Sequence, residues 1–196
     1  MRLMTLGIVG MLASLGLIVP ARAELERYAT DTEIQELVAA MRQRLPQIQA
    51  TGYYLDRRTL EEQQERAAFA AAWMKVDPEI ASFLGDWTAI EEALMIYPAA
   101  ERGKVCVIDI YPEDAEFYQG EVIAGKLYTE NNLVLVLDSG FLASIFVSGN
   151  QPGLYEYGSP RPLKDPATAD YFAEYYPALA PQFAQAGCLA DLPEIP

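Results

Sequence analysis

Apolar residues fill Leu3 to Val19 almost without interruption; only Thr5, Ser14 and three glycines break the run. Arg2 precedes it, Pro20 ends it, and Ala21-Arg22-Ala23 follows with small residues at the positions that signal peptidase reads. A basic start, an apolar middle and a small-residue end predict a secretory signal peptide over residues 1–23, cut between Ala23 and Glu24. The run is at the short end for crossing a bilayer. No cysteine stands at the cut to carry a lipid.

Beyond the signal the apolar period becomes helical. Ile34, Leu37, Val38, Met41 and Leu45 recur every three or four positions. Thr30 with Glu33 offers a capping box at the start, and Pro46 is expected to kink or end this helix. A turn follows around Gly52. Thr59 with Glu62 is a second capping box, and the Glu, Gln and Ala that follow favour helix. Ala70, Trp73 and Met74 carry its apolar side towards Val76. Asp77-Pro78 then reads as an N-cap and first-turn proline for a short helix, 79–84, stopped by Gly85.

From Trp87 the period shortens. Strands are predicted at about 88–97, 104–111, 117–129, 132–138, 141–148 and 153–157, separated by short turn sequences. Such short connections suit antiparallel hairpins, whereas parallel neighbours need long crossovers. Val105 to Ile108 and Leu133 to Leu137 are apolar on both faces, so these strands are expected to be covered on both sides. Gly158-Ser159-Pro160-Arg161-Pro162 reads as a loop. Asp165-Pro166 repeats the N-cap signal before a helix bearing Tyr171, Phe172, Tyr175 and Tyr176. The predicted fold is a single α+β domain, 24–196. Helices lie at about 31–84, a curved antiparallel meander of about six strands at about 87–157, and a helical segment at about 166–187.

Charge narrows the partners. The chain has 28 acidic and 14 basic residues. Loss of Arg2 and Arg22 with the signal leaves 12 basic residues and a net charge of −16. Such a surface repels phosphate backbones, so no nucleic-acid partner is expected. No further apolar run is long enough to span a membrane. Cys106 and Cys188 are the only cysteines, and export favours a disulfide between them over a buried free thiol at Cys106.

The chain contains no histidine. That excludes Ser-His-Asp and Cys-His catalysis and histidine metal sites. No phosphate-binding or dinucleotide motif is present. No catalytic residue, metal site or cofactor is assigned. Glu91 and Glu92, adjacent on a predicted strand, should point to opposite faces. Asp109, Glu113, Asp114 and Glu116 cluster at one hairpin end, read as a solvated acidic turn rather than a cation site. Aromatic residues are plentiful, with 12 Tyr, seven Phe and two Trp. Tyr155 and Tyr157 share a strand face, and Tyr171 and Tyr175 a helix face. These four are the candidate ligand-binding residues; the competing role is packing the C-terminal helix onto the sheet.

Gly85-Asp86-Trp87, entering the first strand of a meander, resembles the G-x-W motif of the lipocalin and wider calycin group. The resemblance implies an up-and-down barrel that binds small hydrophobic molecules, with Trp87 as the structural plug at one end; Gly85 of the motif also has a local role as a helix stop. That barrel needs eight strands, two more than the pattern predicts. The expected function is an exported, non-enzymatic domain that binds a small apolar ligand or a protein partner. The compartment is periplasmic, extracellular or an internal membrane lumen. The alternatives are a histidine-independent hydrolase using carboxylates, and an assembly factor of the envelope or lumen.

Overall fold

The two capping boxes start the first two helices. The computed structural model of the protein describes residues 27–112 and 114–194; the predicted signal peptide lies outside these. Helix α1 spans Asp31–Ala50 and α2 spans Leu60–Val76. In each, the N-cap threonine accepts from the third backbone N–H, and the third-position glutamate accepts from the threonine N–H. Pro46 does not end α1. It lies on the exposed side, where the Arg42 carbonyl that loses its N–H partner faces water.

Eight strands follow: β1 Gly85–Thr88, β2 Ala93–Pro98, β3 Lys104–Tyr111, β4 Asp114–Ile123, β5 Lys126–Thr129, β6 Val134–Asp138, β7 Phe141–Ser148 and β8 Gln151–Arg161. Each pairs antiparallel with the next, and β1 pairs with β8, so the sheet is a closed barrel. This exceeds the expected six-strand meander in three places. The predicted strand 88–97 is two strands, joined by a turn that holds Glu91 at φ +63°. The predicted strand 117–129 is also two strands. They meet at Ala124-Gly125, a two-residue turn with both φ positive, the hairpin form whose twist suits its strands. The last strand runs on through Gly158-Ser159-Pro160, which reads as loop. There it closes the barrel through Thr88↔Gly158 and Asp86↔Arg161, with a register shift between the pairs. A proline without an N–H and a residue at positive φ are tolerated at such an irregular seam.

Closure explains the strands that are apolar on both faces. Trp87, Leu94, Ile96, Val105, Val107, Leu127, Leu135 and Leu142 point inward and form one buried cluster. On the outside, Val134, Ala143, Ile145 and Val147 receive Ile34, Val38, Met41 and Leu45 of α1. Met95, Tyr97, Cys106 and Ile108 are covered by Phe172, Leu179 and Phe183 of the C-terminal segment. That segment holds α3, Asp170–Tyr175, and α4, Leu179–Gln185. Its first helix begins later than expected, because the Asp165 carboxylate caps an isolated turn through Ala167 N–H and the Thr168 hydroxyl. Residues 79–84 likewise form turns rather than a helix, and Asp77 caps Gly103 N–H at 2.6 Å instead.

The predicted disulfide is present. Cys106 on β3 joins Cys188, with Cα atoms 5.9 Å apart. Beside it Ala99 bridges Cys188, and Leu189 N–H donates to the Pro98 carbonyl, so the tail is tied to the end of β2. No helix among the described residues is long and apolar enough to cross a membrane.

Candidate functional site

The barrel interior changes character along its axis. At the base, Trp87 is 4% exposed and its Nε1–H donates to the Phe83 carbonyl at 2.6 Å. Trp73 of α2 and Ile80, Phe83 and Leu84 pack beneath it. Gly85 begins β1 at φ +140°, and a Cβ there would meet Pro160 Cβ at 3.1 Å and Arg66 Nε at 3.3 Å. Arg66 lies over the Trp87 ring, with its guanidinium held by the carbonyls of Leu84 and Ser82. The base is thus closed by protein, with Trp87 as its plug.

Towards the other end the inward positions become polar and aromatic. Val105 and Val107 point inward, so Asp109 does too; by the same alternation Glu116 shares a face with Tyr118. The β3–β4 register sets Asp109 directly opposite Glu116. Asp109 is only 1% exposed, which overturns its assignment to a solvated turn. The buried Tyr118 hydroxyl donates to its Oδ2 at 3.3 Å. A carboxylate in such a place is costly without hydrogen bonds.

On β8 the inward residues are Gly153, Tyr155 and Tyr157, opposite Phe146, Ser144 and Leu142. Tyr157 is 2% exposed, and its hydroxyl donates to Glu92 Oε2 at 2.9 Å. Glu91 and Glu92 therefore sit in the β1–β2 turn, not on a strand, and only Glu92 reaches the barrel. Tyr155 stands at the mouth, 48% exposed. Gly153 leaves room for the Phe146 ring, which occupies the space a side chain would take.

The four predicted tyrosines do not form one site. Tyr155 and Tyr157 line the barrel, whereas Tyr171 and Tyr175 lie on α3 outside it. There Tyr171 packs against Tyr175 and Tyr176 at ring separations of 5.3 and 5.6 Å. Burial, then a hydrogen bond with Tyr176, pushes the Tyr171 phenol up to about 12. Sequence reasoning missed Glu92 and the inward placement of Asp109 and Ser144. Strand alternation from Val105 and Val107 already carried the signal for Asp109. Among the described residues no group of three or more Cys, Asp or Glu is placed to hold a metal ion.

No family model matches the chain, and no curated protein or solved structure matches it.

Proposed function

We propose that this chain is an exported, non-enzymatic binding protein that takes a small, largely apolar ligand at the polar and aromatic end of its barrel. The observation that carries this reading is the division of the interior. An apolar, filled base lies under an aromatic section with two phenol–carboxylate pairs, Tyr118–Asp109 and Tyr157–Glu92. Small-molecule sites combine an apolar wall with a few fixed polar groups in this way. In the Tyr157–Glu92 pair the phenol already donates, so the carboxylate meets a ligand through its oxygens as acceptors. The ligand's polar end is accordingly a donor, an amine or hydroxyl, on a flat or apolar body facing Phe146 and Tyr155. A base plugged by Trp87 is the arrangement that the G-x-W resemblance to the calycin group implies, and barrels of that group carry hydrophobic ligands.

The test uses 1-aminoanthracene, a flat apolar amine that fluoresces when removed from water. Emission should rise and saturate at one site per chain, and Glu92→Gln with Tyr155→Ala should weaken it at least tenfold. Native mass spectrometry of the protein from its own envelope should show a bound mass. A bare chain mass together with non-saturating probe emission sinks the reading.

The Asp109–Glu116 pair supports a second reading, a histidine-independent hydrolase using two carboxylates. It predicts turnover of a chromogenic glycoside that Asp109→Asn abolishes. Activity that persists in that variant removes it.

A further inference from the structure

A cavity of about 290 Å³ lies on the outside of the closed base, between α2, the exit of β8 and the tail. Its walls are mostly apolar: Phe69, Pro162, Leu163 and Leu192, with Gly85 on its floor. One cation enters it, Arg66. Two of the five guanidinium N–H groups are held, Nε by Leu84 O at 3.0 Å and Nη2 by Ser82 O at 2.9 Å. The other three have no hydrogen-bond partner among the described residues, and no described carboxylate lies within ion-pair distance. The nearby ion pairs belong to Arg58 with Asp56 and Arg161 with Glu62.

Arg66 is therefore fixed in place, partly removed from water and without a counter-ion. Burial pulls its pKa down, and the charge of Arg58 adds to the effect. The fixed carbonyl bonds leave the outer edge of the guanidinium pointing away from Leu84 and Ser82. A carboxylate matches that edge with two parallel N–H bonds. Glu65 and Asp191 stand exposed on the rim, where water screens them. They disfavour a dianion more than a monoanion.

We propose that this cavity binds a small aliphatic or aromatic monocarboxylic acid, its carboxylate on Arg66 and its apolar body against Phe69, Leu163 and Leu192. The site is separate from the barrel mouth and does not depend on what the mouth binds. It also gives Gly85 a second role: a side chain there would press on Arg66 Nε and displace the guanidinium that receives the acid.

The experiment is an amide NMR titration of the isotope-labelled protein with octanoate, octylamine, octan-1-ol and inorganic phosphate. Octanoate should shift the amides of Phe69, Gly85, Leu163 and Leu192 and saturate. The amine, the alcohol and phosphate should bind at least tenfold more weakly. Arg66→Gln should weaken octanoate at least tenfold. Because that variant also loses two carbonyl bonds and could unfold, Leu192→Glu serves beside it. Leu192 is 62% exposed, so this change leaves the base intact while placing a second carboxylate in the wall, and should also cost tenfold. The proposal is overturned if the four amides show no saturable shift with octanoate. It is equally overturned if octylamine or octan-1-ol binds as tightly, or if folded Arg66→Gln or Leu192→Glu keeps full octanoate affinity.

Discussion

The guanidinium carbon of Arg66 stands 5.8 Å from the centre of the Trp87 ring, over its face. A cation over an indole adds about 0.5–2 kcal/mol, more as water is excluded. Gly85 permits the approach, because its backbone sits where L side chains rarely go and its missing Cβ leaves space for Arg66. Gly85→Ala is expected to lower stability by about 1–3 kcal/mol through backbone strain and displacement of Arg66. Trp87→Ala should cost about 3–5 kcal/mol as a core cavity. Urea unfolding followed by circular dichroism measures both, and a neutral Gly85→Ala contradicts the role given to this glycine.

The Cys106–Cys188 bridge closes a sequence separation of 82 residues. Chain entropy gives such a link about 4 kcal/mol, less any strain. A Cys106→Ala, Cys188→Ala double variant should lose about 2–4 kcal/mol. Amide exchange should rise first at Cys188 and Leu189, whose N–H groups donate to Phe183 and Pro98 carbonyls. Uniform acceleration across the barrel would instead mean that the bridge holds the whole fold together.

Asp86 faces outward from β1, with Oδ1 buried and without a hydrogen-bond partner among the described residues. Burial raises its pKa from 3.8 to about 6, partly opposed by Arg161 and Lys164. The folded state therefore binds this proton more tightly than the unfolded chain does. Below pH of about 4 the group is protonated in both states and has no effect. As pH rises from about 4 to about 6 the unfolded chain releases the proton first, and stability falls. Above that window the loss is constant. Asp86→Asn should raise stability by about 2–3 kcal/mol at pH 7.5, with the gain vanishing near pH 4. Thermal melts across that range test it; a gain that does not change with pH rules out titration as the cause.

Phe146 fills the space above Gly153 on the inner wall. Gly153→Ala should force that ring to move and cost about 1–3 kcal/mol. The displaced ring would enter the mouth, so binding of 1-aminoanthracene should fall as well. Phe146→Leu, Gly153→Ala should recover most of the stability. Failure of that rescue would place the cost in the backbone rather than in the ring.

The local chemistry of the chain was readable without coordinates. Thr30 with Glu33 and Thr59 with Glu62 start their helices because a capping box needs only residues three apart. The pairing of Cys106 with Cys188 was legible because the chain has only these two cysteines. The paired apolar faces at Val105–Ile108 and Leu133–Leu137 required cover on both sides. Strand number was less legible, because Ala124-Gly125 and the turn at Glu91 carry no strong turn signature; their positive φ values are imposed by the strands they join.

Tertiary structure alone decided closure, and with it the site. The seam runs through Gly158-Ser159-Pro160, residues whose intrinsic preference is for loop, and it holds because pairing β8 with β1 removes both sheet edges at once. Closure then determines which faces meet. It separates Tyr155 and Tyr157 from Tyr171 and Tyr175, and brings Arg66 from α2 onto Trp87. Each of these contacts joins positions set by long-range pairing, and the order of residues along the chain does not encode such distances locally.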